Sequence, residues 1–204
     1  MKNKPRYLTK SRFKLGMECA TKLFYTKKTE YFDKKQVDPF LRALADGGNQ
    51  SGELAKILFG HGQDITSLDY GVSLEQTAAK LAKTSSILYE AAFQHENLFV
   101  RADVVIKNKR TLKLMEVKSK TIESPSIDHL LTKNGKKVHS KWKTYLYYGA
   151  FQHHVVRHAC PDLDIIPYLI LVNKEAVANC NALNQQLRVS PKGEVEVSEQ
   201  LSAE

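Results

Sequence analysis

Ten residues, Asp164 to Asn173, constrain the architecture more than any other stretch. Ile165, Ile166, Tyr168, Leu169, Ile170, Leu171 and Val172 make the run nearly all apolar. A strand of this kind is expected to be buried on both faces, inside a sheet covered by helices. It is too short to be a membrane span, which needs roughly 18–20 apolar residues. No longer apolar run occurs elsewhere in the chain.

Three more strands are expected upstream, over 86–93, 98–107 and 111–119, with Asn108-Lys109-Arg110 as a hairpin turn. Residues 120–140 read as a loop with short helical pieces, and 141–158 as a long helix rich in aromatics. A last helix is expected over 175–187. The N-terminal portion reads as helical. Thr9 or Ser11 can cap a helix reaching about Tyr25, with Phe13, Met17, Ala20, Leu23 and Phe24 on one face. A second helical region spans Phe40 to about Phe59, broken near Gly47-Gly48 and ended by Gly60. Ser73 is expected to cap a third, Leu74 to about Thr84, with Gln76 at capping-box spacing. The expected class is α/β, a mixed central sheet flanked by helices with a helical N-terminal portion. Residues 1–189 are expected to form a single domain, and 190–204 a polar tail or linker and a possible truncation point.

Composition narrows the setting. The chain has 204 residues, 42 % of them hydrophobic, and a net charge of +9. Three cysteines do not make a disulfide framework and fit a reducing cytoplasm. The basic N-terminus is not followed by an apolar segment, so no signal peptide and no membrane association are expected. Eleven Lys/Arg against three Asp/Glu fall within residues 1–35, and Lys133, Lys136, Lys137, Lys141 and Lys143 form a second basic cluster around His139. Such charge suits a polyanion, though solubility alone also accounts for it.

The chemistry concentrates on the hairpin. Along 111–119, Leu112, Leu114, Glu116 and Lys118 share one face by strand parity, and on the preceding strand Asp103 and Val105 share one. A loop of about four residues puts Asp103 directly opposite Glu116. Carboxylates so paired repel unless a cation lies between them. Oxygen ligands of this kind suit Mg²⁺ or Mn²⁺. Lys118 reaches the same face, where it can orient or deprotonate water or neutralise charge on a phosphate. The Val117 carbonyl between them is a further candidate ligand. A solvated Glu-Lys pair on a surface hairpin is the plain alternative, but Leu112 and Leu114 continue the same face as apolar residues.

Asp103 with Glu116-Val117-Lys118 resembles the core of the PD-(D/E)XK nuclease superfamily, and more closely its RecB-like and CRISPR-associated exonuclease branch. The resemblance extends over Leu8-Thr9-Lys10-Ser11-Arg12-Phe13, Gly16-Met17-Glu18-Cys19, Gly52-Glu53-Leu54-Ala55, Tyr89-Glu90-Ala91-Ala92-Phe93, Val100-Arg101-Ala102-Asp103, Met115 to Thr121 and Ala150-Phe151-Gln152. It implies a restriction-endonuclease-like fold, with Asp103 and Glu116 as metal ligands and Lys118 as the catalytic lysine. It implies a DNA-positioning or site role for Gln152. The family often has Tyr four residues after that glutamine; here Val156 stands there, so either Tyr145 or Tyr148 compensates or the role is missing. The metal-binding histidine of an early helix has no clear counterpart, His61 and Glu53 being the nearest candidates. Glu90 is either a further acid near the metals or an exposed strand charge. Lys120, Lys141, Lys143, Tyr148 and Trp142 are the remaining candidates for nucleic-acid contact, Trp142 as a base-stacking ring.

Relatives with an iron–sulfur cluster use four cysteines; this sequence has Cys19 early and then only Cys160 and Cys180, so this chain alone cannot hold one. Cys19 is otherwise expected as a small buried residue on a helix face. His153, His154, His158 and Cys160 admit a zinc reading, since His154 and His158 share a helical face, but no fourth ligand is evident. The competing reading is histidines meeting phosphate in a groove. Two functions follow: a Mg²⁺- or Mn²⁺-dependent, exonuclease-like DNA nuclease, with strand preference open, or a weak or inactive nuclease-fold module that binds nucleic acid or a partner within a larger protein. A C-terminal domain or partner protein fits either.

Overall fold

The computed structural model describes residues 6–26, 28–31, 38–123, 130–191 and 193–202. The basic N-terminal residues 1–5 and part of the 120–140 loop lie outside that set. The chain divides into two compact units: residues 1–32, 62–116 and 138–169, and residues 33–61, 117–137 and 170–204. Among the described residues, no helix is long and apolar enough to cross a membrane.

The architecture is α/β around a mixed six-stranded sheet. In chain order its strands are β1 (Leu8–Thr9), β2 (Gln63–Asp64), β3 (Ser85–His95), β4 (Leu98–Asn108), β5 (Thr111–Ile122) and β6 (Asp164–Asn173). The path is β2-β3-β4-β5-β6, with β1 paired to β4. β3, β4 and β5 form an antiparallel meander, while β1 joins β4, and β2 joins β3, in parallel. The meander strands begin near the expected residues and run one to three residues longer; the β3–β4 ladder continues at its ends through pairs such as Ser85 with Asn108 and His95 with Leu98. The β4–β5 turn tightens to Lys109 and Arg110, with Lys109 at φ +54, since Asn108 still pairs Thr111.

The first unit carries α1 (Lys10–Glu18), α2 (Ala20–Tyr25), α4 (Tyr70–Leu81) and α5 (Ser140–Ala159). The expected helix to Tyr25 is broken, because Cys19 adopts extended backbone (φ −168, ψ 119) and ends α1 under its Thr9 cap. Cys19 is consequently exposed rather than packed on a helix face. α4 starts earlier than expected. Asp69 caps it by accepting the Gly71 and Val72 N–H groups, which leaves Ser73 buried inside the helix. Thr77 on α4 accepts the Ala92 N–H at 2.9 Å, which satisfies a β3 donor that no strand reaches.

The core of this unit lies between the meander and α5. Leu88, Ala91, Phe93, Val100, Ala102, Val105, Leu112 and Leu114 meet Phe151, Val155 and Val156. Phe13 of α1 stacks on Phe151 at 4.6 Å. α5 lies mainly over β3 and β4. β6 closes the strand order and is not buried on both faces as expected: Ile166 and Tyr168 are each 41 % exposed and Val172 38 %.

Gly62 shows how closely this unit is packed. A Cβ there would stand 2.2 Å from Cε2 of the buried Tyr89 ring and 2.9 Å from Ile87. Gly62→Ala is therefore expected to destabilise by about 1–3 kcal/mol, an overpacking cost. Urea unfolding with an unchanged m-value is the check, and a midpoint equal to that of wild type would contradict it.

The second unit contains α3 (Pro39–Phe59), α6 (Leu183–Gln186), β7 (Leu187–Val189), β8 (Val195–Val197) and α7 (Glu199–Ser202). α3 runs unbroken through Gly47-Gly48, capped by Asp38 with Pro39 in its first turn. Gln50 and Asn49 of α3 donate to the carbonyls of Leu187 and Gly193 on the β7–β8 hairpin. The helix expected over 175–187 shrinks to Leu183–Gln186, preceded by Ala182 at φ +51. Within the polar segment 190–204, β8 pairs antiparallel with β7.

Candidate functional site

β4 changes neighbours along one edge. β3 occupies its other edge throughout, so β5 (opposite Val104 to Asn108) and β1 (opposite Leu98 and Phe99) share this one. A fork opens between them at residues 100–103. Continuing the β4–β5 register from Val104↔Met115 puts Asp103 opposite Glu116 at that fork, in agreement with the parity reading. β1 feeds directly into α1, which delivers Lys10 to the same place.

Lys10 Nζ bonds Asp103 Oδ1 at 3.2 Å and both Glu116 oxygens at 3.2 and 2.9 Å. The cation that two facing carboxylates require is here an ammonium. Burial alone would lower the Lys10 pKa, but the charges of Asp103 and Glu116 and their hydrogen bonds outweigh it and hold it above the ordinary lysine value. Glu116 is 3 % exposed, whereas Lys10 and Asp103 keep about a quarter of their side-chain surface, 26 % and 21 %. The sequence carried no direct signal for Lys10. It lies more than 90 residues from both acids, and only the β1–β4 pairing brings it to them.

α5 supplies the second layer. Gln152 is buried and donates its amide Nε2 to Glu116 Oε2. Its own Oε1 meets no hydrogen-bond partner among the described residues, and neither does the hydroxyl of Tyr148, one turn earlier on α5. The Tyr148 pKa is pushed up to about 12, first by burial and then by the charges of Glu18, Tyr145 and Glu116. A buried acceptor without a partner, on the side chain that holds Glu116, is what a site for a hydrated cation would need. The donor set therefore fits Mg²⁺ or Mn²⁺, with Asp103 and Glu116 as its holders.

Glu90 stands opposite Asp103 by the β3–β4 register, yet it points its charge at Arg101, 3.3 Å away. Arg101 also donates to the Ser67 and Ile65 carbonyls at 2.6 Å, which ties the segment before α4 to the sheet. Glu90 has φ +55, a left-handed conformation in the middle of a strand.

Val117, Lys118 and Lys120 carry β5 on into the second unit, where Lys118 Nζ donates to the Val117 carbonyl at 2.7 Å. Glu53 pairs with Lys56 at 2.8 Å on α3, and His61 is exposed, both in the second unit. Trp142 is 2 % exposed, so the ring expected to stack on bases is packed inside; its flanking Lys141 and Lys143 are exposed.

The cysteines differ in reactivity. Backbone N–H contact from Lys22, then Thr21, lowers the pKa of the exposed Cys19 thiol, while burial raises that of Cys160. A lowered pKa means more thiolate at a given pH, so Cys19 is expected to alkylate first and with its pH midpoint at the lower pH. Peptide mapping after iodoacetamide from pH 6 to 9 measures the order; Cys160 reacting first would contradict it.

No protein-family model matches the sequence, and no curated protein matches it significantly.

Proposed function

We propose that the chain is a Mg²⁺- or Mn²⁺-dependent phosphodiesterase acting on DNA, with a restriction-endonuclease-like fold. The observation that carries the reading is the fork in the sheet, where Asp103 and the buried Glu116 converge on one cation beside the unpartnered Gln152 Oε1. A bound divalent ion would acidify a coordinated water and draw charge from phosphate oxygens. The chain's own residues do the rest. Asp103 and Glu116 hold the ion, and Gln152 fixes the Glu116 carboxylate through its amide. Lys118 enters the proposal through its spacing from Glu116 alone, as the group that orients water or neutralises charge on the phosphate. The net charge of +9 favours a polyanionic substrate.

The second reading, a module that binds nucleic acid or a partner without cleaving, has its own observation. The Lys10 ammonium already bridges both carboxylates and offsets half of their charge, so a cation stands between them without a metal. End-labelled single- and double-stranded DNA, incubated with the protein and Mg²⁺ or Mn²⁺, separates the two. Cleavage that disappears in Asp103→Ala supports the first. Binding without cleavage under either metal supports the second.

A further inference from the structure

We propose that His95, His154 and His158 form a separate binding site for a divalent transition-metal ion of the Zn²⁺ class. One ring nitrogen from each of the three lies within 4.8 Å of the others. His154 and His158 stand four residues apart on α5, so both project from one side of the helix. His95 is the last residue of β3, before the two-residue turn into β4.

The frame that presents these rings is rigid. Val155 and Val156, between the two helical histidines, are fully buried in the core, as is Phe93, two residues before His95. His154 and His158 are exposed, so their rings have room to turn toward a shared ion.

A hydrogen bond orients one of the rings. His158 Nδ1 lies 2.7 Å from the His154 carbonyl oxygen. A carbonyl only accepts, so Nδ1 is the donor of this hydrogen bond and Nε2 is the ring nitrogen available as a ligand. Histidines that bind metals are oriented in this manner by a hydrogen bond from the other ring nitrogen. The His95 and His158 rings stack at 4.5 Å, 23° from parallel, with His154 at 4.4 Å from His158. Imidazole favours Zn²⁺, Cu²⁺ or Ni²⁺, whereas carboxylate oxygen favours Mg²⁺ or Mn²⁺. The chain thus separates two metals by donor chemistry. His95 pairs with Leu98, five residues before Asp103, so the two sites stand roughly 17 Å apart along β4. Three protein ligands leave one position of a tetrahedral ion for water or for an external ligand.

The test uses the full chain without a histidine tag. Zn²⁺ affinity is measured by competition with a chromophoric chelator, and Co²⁺ reports the ligand field. The expected result is one Zn²⁺ per chain in wild type, in Asp103→Ala and in His153→Ala. His158→Ala and His95→Ala are each expected to weaken it by about 100-fold or more, above the 10–100-fold cost of losing a mere orienting partner. The tetrahedral Co²⁺ bands should vanish with the affinity. Circular dichroism of each variant checks that the fold is kept. Zn²⁺ affinity in His158→Ala and His95→Ala equal to that of wild type would overturn the proposal, as would loss of the site in Asp103→Ala alone. The Asp103→Ala control keeps this result independent of the nuclease reading.

Discussion

Replacing Lys10 by Met is expected to cost about 3 kcal/mol of stability. The substitution keeps a flexible apolar stem and removes the ammonium with its hydrogen bonds to Asp103 and Glu116. Glu116, 3 % exposed, then loses the Lys10 ammonium while the Gln152 amide stays on it. Removing one partner of a buried pair costs about 3–5 kcal/mol. The low end applies because Lys10 itself is 26 % exposed and water can screen part of the loss. The check is urea unfolding of both proteins at equal ionic strength. Mn²⁺ supplies the discriminating measurement. In wild type a metal has to displace the ammonium from Asp103 and Glu116; in Lys10→Met it does not. Mn²⁺ should therefore raise the melting temperature of Lys10→Met more than that of wild type. Equal shifts would mean that the two carboxylates hold no metal and that Lys10 is simply their structural counter-ion.

The second large effect concerns rate. Asp103→Ala is expected to reduce Mn²⁺-dependent DNA cleavage by about 10³ or more and to weaken Mn²⁺ binding with it, since charge stabilisation at the reacting phosphate goes with the ion. Lys118→Ala is expected to lose a comparable factor of rate while leaving Mn²⁺ affinity near wild type, because a lysine is no metal ligand. Single-turnover cleavage and Mn²⁺ titration, run on the same preparations, separate the two behaviours. If both variants cleave as wild type does, the residues have been assigned wrongly, whatever the protein's activity.

What the sequence revealed of this arrangement was local. Side-chain parity over 98–119 put Asp103 opposite Glu116, because a strand alternates its faces with a period of two and a short turn leaves little freedom of register. Gln152 was legible through the family resemblance rather than through its own chemistry, and it does reach Glu116. Lys10 was not legible. Its place depends on two residues of parallel pairing between Leu8-Thr9 and Leu98-Phe99, a contact that no periodicity announces. His95 escaped for the same reason: the helical pair His154 and His158 was visible, but their third partner comes from a strand 59 residues earlier than His154.

The misread elements share a cause, which is tertiary context overriding local preference. Gly47-Gly48 are no break, because side chains along α3 bond the β7–β8 hairpin and hold the helix through them. Cys19 breaks a helix whose apolar spacing looked continuous. The strand at 164–173 has the composition of a fully covered strand, but it lies at the end of the sheet order while α5 covers β3 and β4. Trp142 was read as exposed because lysines flank it, yet neighbours one residue away on a helix point about 100° aside and say little about its own surroundings.

The nuclease reading meets its most direct test in wild-type protein given end-labelled single- and double-stranded DNA with Mg²⁺ or Mn²⁺. The account predicts metal-dependent shortening of at least one substrate, abolished by chelator and by Asp103→Ala. Bound but uncut DNA under both metals would contradict it.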